Sequence, residues 1–294
     1  MKIAITGGTG LLGSYFVRRL LEDGVHTPVI LTRKDTGGAC NGVEARRTDY
    51  SVSSLVQVLN DIDAVVHLAA QRGISTNLMD YLPNVEITES LYKACGEIAI
   101  KNIVYASTIS VYSNEALLPW DENIMPVPKS MYGISKLDCE YIGGIYSERY
   151  GLRIKNLRLA HLYGCNEQNN YMINVFMRQA FKKETLKLFS EDCARREFLY
   201  AKDASHALLC AVESESEYGT FNIGSEEFLT NREVAETINE AFGNRNNLSV
   251  EIKEDKPLKA SYMKSEKAAK MLGFKARYSF LEAMIDIYGE MADV

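Results

Sequence analysis

The most constraining feature of the chain is a glycine-rich run, TGGTGLLG at residues 6–13, which follows a short apolar segment and opens a helical pattern. Gly7 allows a tight turn, Gly10 lets backbone N–H groups approach a pyrophosphate, and Gly13 lets the helix pack close to the strand. The amino-terminal end of the helix adds partial positive charge for phosphate groups. The run therefore predicts a binding site for a dinucleotide cofactor.

Short apolar runs alternate with amphipathic helical stretches along the first half of the chain. Strands are predicted at residues 3–6, 28–32, 64–68, 102–106 and 153–159, and helices at residues 11–22, 51–59, 83–95 and 132–150. This alternation of strands and helices is typical of a parallel sheet with helices on both faces. We expect an α/β fold: a Rossmann-type doubly wound parallel sheet over residues 1–165, to which segments around 198–224 return, and a smaller C-terminal α/β substrate lobe formed mainly by residues 166–294.

Composition narrows the class of protein. The 294 residues carry a net charge of -6 without a long basic run, which argues against nucleic acid as a partner. No apolar run approaches the roughly 20 residues of a membrane span, and the apolar start is too short for a signal peptide. The six cysteines are scattered and share no ligand spacing with the four histidines, so we expect free thiols, no metal and a cytoplasmic protein.

Two further patterns contain side chains that can take part in a reaction. Tyr132 and Lys136 lie four residues apart in a predicted helix and therefore share one face. An adjacent ammonium and a positively charged nicotinamide both favour the phenolate, so Tyr132 can act as a general base or acid. Thr108 follows a predicted strand, at the edge where open α/β sheets bind ligands, and can hydrogen-bond a reacting hydroxyl. A simple capping run of Ser and Thr is the alternative for Thr108.

The end of the second predicted strand bears on the choice of cofactor. An acidic residue there binds the ribose 2′-hydroxyl of NAD, whereas an arginine accommodates the 2′-phosphate of NADP. This chain has Arg33 and Lys34 at that point, and Asp35 comes later. The charges favour NADP, unless Arg33 and Lys34 are solvated surface residues.

Taken together, these motifs resemble the extended short-chain dehydrogenase/reductase family, in its NAD-dependent epimerase/dehydratase group. The resemblance extends over most of the chain. Further matching segments are residues 65–70, Asn84, and residues 158–164, 196–203 and 221–224.

The resemblance implies a catalytic set of Thr108, Tyr132 and Lys136. It implies NAD as the cofactor, with NADP still open because of Arg33. The implied cofactor-binding residues are Gly7, Gly10, Leu11, Leu12, Gly13, Thr32, Arg33, Asp49, Tyr50, Leu68, Ala69, Ala70, Tyr132 and Lys136. Within this set, Asp49 would contact the adenine.

By the same resemblance, the substrate is a nucleotide-sugar, with a uridine diphosphate as the default. The implied substrate-binding residues are Gln71, Ser107, Thr108, Tyr132, His161, Asn170, Leu188, Phe189 and Arg196. Arg196 would bind the diphosphate, because a guanidinium has fixed donors and a permanent charge. Phe189 has two open roles, stacking on the base or packing in the core.

The chain departs from the family pattern at several positions. His161 replaces the usual asparagine, the acid after the second strand is missing, and an arginine common in epimerases has no clear match near residues 254–259. Weaker or altered diphosphate binding would follow. Dehydratases of the family carry an Asp-Glu pair after the catalytic threonine. This chain has Ile109 and Ser110 there, and neither can do that acid–base work, which argues against a dehydratase.

The resulting hypothesis is a nucleotide-diphospho-sugar 4-epimerase, acting on a UDP-hexose or UDP-N-acetylhexosamine through transient hydride transfer to bound NAD. One alternative is an NADP-dependent reductase of a keto-sugar or other carbonyl, which Arg33 favours. A second is a non-catalytic dinucleotide-sensing regulator, although Tyr132 and Lys136 are both present. Family members pair through the helix predicted at 132–150, so the resemblance also implies a homodimer.

Overall fold

The computed structural model of the chain describes residues 1–40, 42–165, 167, 169–189, 193–252 and 259–292. Its strands are, in chain order, β1 (Lys2–Thr6), β2 (Thr27–Thr32), β3 (Ala39–Cys40), β4 (Val43–Arg47), β5 (Ala64–His67), β6 (Asn102–Thr108), β7 (Arg153–Leu159), β8 (His161–Tyr163), β9 (Leu186–Leu188), β10 (Arg196–Tyr200), β11 (Gly219–Ile223), β12 (Phe228–Leu229) and β13 (Leu248–Val250). Its α-helices are α1 (Leu11–Asp23), α2 (Val52–Val58), α3 (Leu82–Glu97), α4 (Met131–Tyr150), α5 (Met172–Phe181), α6 (Ala201–Glu213), α7 (Asn231–Ala241), α8 (Glu266–Leu272) and α9 (Phe280–Ala292).

The main sheet has the strand order β11-β7-β6-β5-β1-β2-β4-β3. All of its pairings are parallel except that between β3 and β4. The order reverses at β1, which pairs with β2 on one side and β5 on the other, so a ligand crevice opens at the carboxyl ends of β1 and β5. The prediction of a doubly wound α/β fold is confirmed.

Apolar side chains on both faces of the sheet explain why its strands read as continuous apolar runs. In β1, Ile3 and Ile5 pack in one core with Phe16 of α1, whereas Ala4 belongs to the core on the opposite face, with Leu55 of α2. Both faces of β6 stay buried as far as Thr108, so β6 runs two residues beyond its predicted end. Ser107 and Thr108 are consequently held in the sheet.

A smaller set of elements follows the main sheet. Strand β10 pairs with β8 in parallel and with β12 antiparallel, and β9 pairs with β13. Helices α5, α7 and α9 share a core that includes Phe176, Ile238 and Met284. Strand β11 lies in the main sheet beside β7, so the chain crosses between the two regions more than once. The lobe boundary at residues 165 and 166 stays a prediction.

Candidate active site

The glycine run forms a tight connection between β1 and α1. Gly7 has a φ of 68°, and a Cβ there would lie 2.8 Å from the backbone nitrogen of Ala69. A Cβ on Gly13 would lie 2.2 Å from the carbonyl oxygen of Gly7. Gly10, the residue before α1, makes no side-chain cap, so the first N–H groups of the helix are left for an external acceptor. The backbone around Gly7, Gly10 and Gly13, called here the glycine cradle, fits the pyrophosphate of a dinucleotide.

A hydrogen-bond chain fixes β1 against β5 at the edge of this cradle. Thr6 Oγ1 accepts the N–H groups of Leu68 (3.1 Å) and Ala69 (3.0 Å), so its proton points to His67 Nδ1 at 2.6 Å. His67 Nε2 lies 3.0 Å from the hydroxyl of Thr88, which itself donates to a backbone carbonyl one turn earlier. Burial lowers the pKa of His67 to about 3. His67 is therefore neutral, with its proton on Nε2, and orients the wall formed by residues 68–70.

Helix α4 positions the predicted catalytic pair. Its cap is Ser130, whose hydroxyl accepts the backbone N–H of Gly133 at 3.0 Å. Tyr132 and Lys136 follow in the first two turns, and both line the same cavity as Thr108 at the end of β6. The structure thus brings the three predicted catalytic residues together.

Burial disfavours the charged form of both titratable groups of the pair. It raises the pKa of Tyr132 to about 12 and lowers the pKa of Lys136 to about 8. The largest influence that lowers the pKa of Tyr132 is the positive charge of Arg72. The expectation that the ammonium of Lys136 and a nicotinamide both favour the phenolate stays a prediction. The protein alone keeps Tyr132 a neutral phenol at pH 7.

The cavity has a volume of about 1020 Å³ and lies at the carboxyl ends of the main-sheet strands. It is lined by sixteen of the predicted site residues: Gly7, Gly10, Leu11, Leu12, Gly13, Arg33, Leu68, Ala69, Ala70, Gln71, Ser107, Thr108, Tyr132, Lys136, His161 and Arg196. The residues predicted for the site that do not line it are Thr32, Asp49, Tyr50, Asn170, Leu188 and Phe189.

Tyr50 supports Arg33 at the cofactor end of the cavity. The guanidinium carbon of Arg33 lies 6.0 Å from the centroid of the Tyr50 ring. Tyr50 is buried, and its hydroxyl donates to the carbonyl oxygen of Leu31 at 3.0 Å. Tyr50 therefore lies beside Arg33 without lining the cavity itself.

Thr32 and Asp49 have local hydrogen bonds. Thr32 Oγ1 accepts the N–H of Lys34 at 3.1 Å, and the carboxylate of Asp49 accepts the N–H of Ser51 at 2.8 Å. The Asp49 side chain is exposed. Direct contact of either residue with the cofactor stays a prediction.

His161 and Arg196 meet at the substrate end, on the paired strands β8 and β10. His161 Nε2 lies 2.9 Å from the hydroxyl of Ser261, and burial, helped by the charge of Arg196, lowers the pKa of His161 to about 4. Arg196 donates a hydrogen bond to the side chain of Asn231, and its guanidinium lies 5.6 Å from the ring centroid of Phe198. A neutral imidazole and a guanidinium thus face the cavity side by side.

Three predicted substrate residues lie outside this lining. Leu188 is buried in the core of the smaller lobe, and Asn170 accepts a hydrogen bond from Arg178 at 3.2 Å. Phe189 is 46% exposed, which is inconsistent with packing in the core. Their contacts with substrate stay predictions. The position of the missing family arginine falls largely on residues 253–258, outside the described residues.

Sequence reasoning missed Arg72. It follows the wall of residues 68–70, lines the cavity, and forms an ion pair of 2.9 Å with Glu167 beyond β8. Tyr81 was also missed, and its ring centroid lies 6.0 Å from that of Tyr132. Arg72 could have been found from the rule that ligands bind beyond the carboxyl ends of strands, since it comes soon after β5.

A buried ion pair supports the cavity wall behind Thr108. Arg158 donates three hydrogen bonds of 2.6–3.2 Å to the carboxylate of Glu140, which also accepts the hydroxyl proton of Ser107. A further Arg158 nitrogen donates to the hydroxyl of Tyr112 at 2.6 Å. Glu140 lies one turn after Lys136, so the network ties α4 to β6 and β7.

In the part of the chain that the structure describes, no group of three His, Cys, Asp or Glu residues could hold a metal ion.

Comparison with known proteins agrees with this geometry. Residues 3–224 match the sequence model of the NAD dependent epimerase/dehydratase family, so the chain belongs to that family and the predicted resemblance is confirmed.

Among individual proteins, the chain is similar to a UDP-N-acetylglucosamine 4-epimerase from Bacillus cereus of known structure, with 52% identity, a TM-score of 0.93, and coverage of 100% of this chain and 97% of the other. It is also 26% identical to a UDP-glucose 4-epimerase from Halalkalibacterium halodurans, over 97% of this chain and 94% of that protein. The structure of MoeE5 in complex with UDP-glucose and NAD shares 25% identity, with a TM-score of 0.86 and coverage of 100% and 99%.

Proposed function

We propose that the protein is a UDP-sugar 4-epimerase that uses bound NAD. The observation that carries the proposal is that one cavity contains the glycine cradle, the trio of Thr108, Tyr132 and Lys136, and Arg196. The cradle of Gly7, Gly10 and Gly13 would hold NAD, whose nicotinamide would supply a reversible hydride acceptor. The 52% identity with a UDP-N-acetylglucosamine 4-epimerase supports this activity and makes a UDP-N-acetylhexosamine the first substrate to test.

Each residue of the trio has a role that its position supports. As the phenolate, Tyr132 accepts the proton of the sugar 4-hydroxyl and later returns it, and Thr108 hydrogen-bonds the same hydroxyl. Because burial holds the pKa of Tyr132 near 12, removal of its proton depends on nearby positive charge. The charge of Arg72 lowers this pKa, and Lys136, which lines the same cavity, would add its ammonium. Arg196 binds the substrate diphosphate at the other end of the cavity.

The direct test is proton NMR of UDP-N-acetylglucosamine and of UDP-glucose, each incubated with the enzyme and a trace of NAD. New anomeric signals of the galacto epimer, without net reduction of the cofactor, are the expected result. Unchanged spectra of both sugars at high enzyme concentration would refute the proposal for these substrates.

An NADP-dependent reductase is the second candidate, because Arg33 lines the cavity where the adenosine ribose would lie. Titration with NAD and NADP distinguishes the two. For an NAD-dependent epimerase, Arg33→Gln should leave NAD affinity nearly unchanged. Lys34→Gln is the matched control, since Lys34 is exposed and lies outside the cavity lining. Tight binding of NADP, lost specifically in Arg33→Gln, together with steady oxidation of NADPH by a keto-sugar, would favour the reductase.

We also infer a homodimer that forms through α4. Tyr141 and Ile145, four residues apart, are 60% and 63% exposed and give this helix an apolar outer face. Sedimentation should show a dimer at micromolar concentration that Tyr141→Lys converts to a monomer. A wild-type monomer would contradict the inference.

The remaining proposals concern location and lobe boundaries. None of the described helices could span a bilayer, and among the described residues no two cysteines form a disulfide. We infer that the enzyme acts in the cytoplasm on a nucleotide-sugar, with a substrate lobe formed mainly after residue 165. Fractionation of cells that express the protein would test the location.

A further inference from the structure

Lys136 is a buried ammonium with an aromatic neighbour. Its side chain is 2% exposed, and Nζ lies 4.1 Å from the centroid of the Tyr105 ring. Within the described ranges, none of the ion pairs includes Lys136. The carboxylate one turn away, Glu140, is bound by Arg158 and Ser107. The ammonium therefore lies over the face of the Tyr105 ring, while the nearby carboxylate of Glu140 is bound by other groups.

The titratable groups around Lys136 offer little compensating charge. Burial lowers the pKa of Lys136 to about 8, and Cys139 and Glu140 of the same helix act in the opposite direction. His67 of β5 has a pKa of about 3, lowered by burial and by the charge of Lys136, and is neutral. Tyr132, with a pKa of about 12, is also neutral.

Tyr105 is held in place by β6 and by other rings. It is 1% exposed, and its ring centroid lies 5.5 Å from that of His67 and 6.5 Å from that of Tyr92. Burial raises the pKa of its hydroxyl well above the ordinary value, so the residue stays uncharged. A neutral aromatic face attracts an ammonium through its quadrupole, most strongly where water is excluded.

We propose that Tyr105 is a positioning residue for the epimerisation, whose ring face seats the ammonium of Lys136 and keeps it charged and directed into the cavity beside Tyr132. The inference rests on the proposed function. It assigns a role in the site to a core residue of β6 that does not itself line the cavity.

Three variants distinguish the effect of the Tyr105 ring face on Lys136 from the effect of packing in the core. Tyr105→Phe keeps the face, Tyr105→Leu removes it, and Tyr92→Leu is the control, because Tyr92 is fully buried in the same core as Tyr105. The pH dependence of kcat/KM for the UDP-sugar should have the same alkaline limb in wild type and Tyr105→Phe. In Tyr105→Leu the limb should move down by about one pH unit, because the ammonium loses its proton more readily.

Tyr92→Leu should lose stability without moving the limb. An unchanged limb in Tyr105→Leu, or an equal shift in Tyr92→Leu, would overturn the proposal. If Tyr105→Leu does not fold, pentafluorophenylalanine at position 105 keeps the shape and reverses the charge of the face. It should then move the limb down relative to Tyr105→Phe, and no shift would overturn the proposal.

A second readout does not depend on turnover. NMR titration of lysine labelled with ¹³C at Cε, with the Lys136 signal assigned by its loss in Lys136→Arg, reports the protonation of this residue directly. The same downward shift is expected in Tyr105→Leu, and identical titrations in all variants would refute the inference. If the wild-type protein epimerises no UDP-sugar, the proposed function is wrong. The lysine titration would still show whether Tyr105 keeps Lys136 protonated.

Discussion

A guanidinium nitrogen of Arg158 lies 2.6 Å from the carboxylate of Glu140, and both side chains are only 5% exposed. The pair joins α4 to β7, and through Ser107 it reaches the wall of the cavity. The pair therefore stabilises the packing of α4 on the sheet and also holds the cavity wall at Ser107.

Glu140→Gln should destabilise the protein by about 3–5 kcal/mol, because it leaves a buried guanidinium without its counter-charge. Urea unfolding measures the change. The control is Glu236→Gln in the exposed pair with Arg232 (3.4 Å), which should cost less than about 1 kcal/mol. If both variants lose a similar free energy of unfolding, burial of the Arg158–Glu140 pair does not make its disruption more destabilising.

Tyr132→Phe should lower epimerase kcat by roughly 10²–10⁴-fold, the range for loss of a general acid–base. Binding of NAD should persist, because the glycine cradle is untouched. The rate is measured by NMR of the epimer and binding by calorimetry. Tyr218→Phe, at a tyrosine that is 66% exposed and outside the cavity lining, should leave the rate unchanged. Full activity of Tyr132→Phe would exclude Tyr132 as the proton acceptor.

Arg196→Gln should raise KM for the UDP-sugar by about 10–100-fold, since hydrogen bonds to charged groups contribute about 1.5–3 kcal/mol. Its neighbour Arg195 supplies the matched control, because Arg195 forms an exposed ion pair with Glu233 (3.0 Å) outside the cavity. Arg195→Gln should leave KM nearly unchanged. An equal rise in both variants would point to general electrostatic attraction in place of diphosphate binding.

His161→Asn should make stability less dependent on pH. The pKa of His161 is lowered to about 4, below the ordinary value of about 6.5, so the unfolded chain takes up the proton first as pH falls. His161 therefore contributes stability above pH 6.5 that is lost between about pH 6.5 and 4, an effect of about 2 kcal/mol once partial solvent access is allowed for.

Urea unfolding at several pH values would measure this loss in wild type and its reduction in His161→Asn. Ser261→Ala removes the hydroxyl that lies 2.9 Å from His161 and should lower stability similarly at every pH. An unchanged pH dependence in His161→Asn would show that this residue is not the group that titrates.

Local patterns were enough to predict most of the nucleotide-binding half. The glycine run, the alternation of apolar strands with helices, and the pair Tyr132 and Lys136 each depend on neighbours close in sequence, where backbone geometry and helical spacing decide which side chains can meet. Of the sixteen predicted residues that line the cavity, the glycines, Thr108, Tyr132 and Lys136 followed from local patterns, and most of the others were implied by the family resemblance.

The remaining features depend on contacts between residues far apart in the chain. Sequence alone could not show that Arg72 carries the largest charge effect that lowers the pKa of Tyr132, nor that Leu188 is buried in a separate core.

The sequence by itself therefore determined the family, through motifs that follow one another in order over most of the chain. It also determined the sheet with its helices and the pair Tyr132 and Lys136, because these depend on short-range spacing. Only the tertiary structure decided how charge is distributed around the site: which carboxylate is already bound by Arg158, which histidines are neutral, and that Lys136 faces the ring of Tyr105. The reason is that burial and the distances between groups on different strands set the protonation of side chains, and neither quantity exists until the chain has folded.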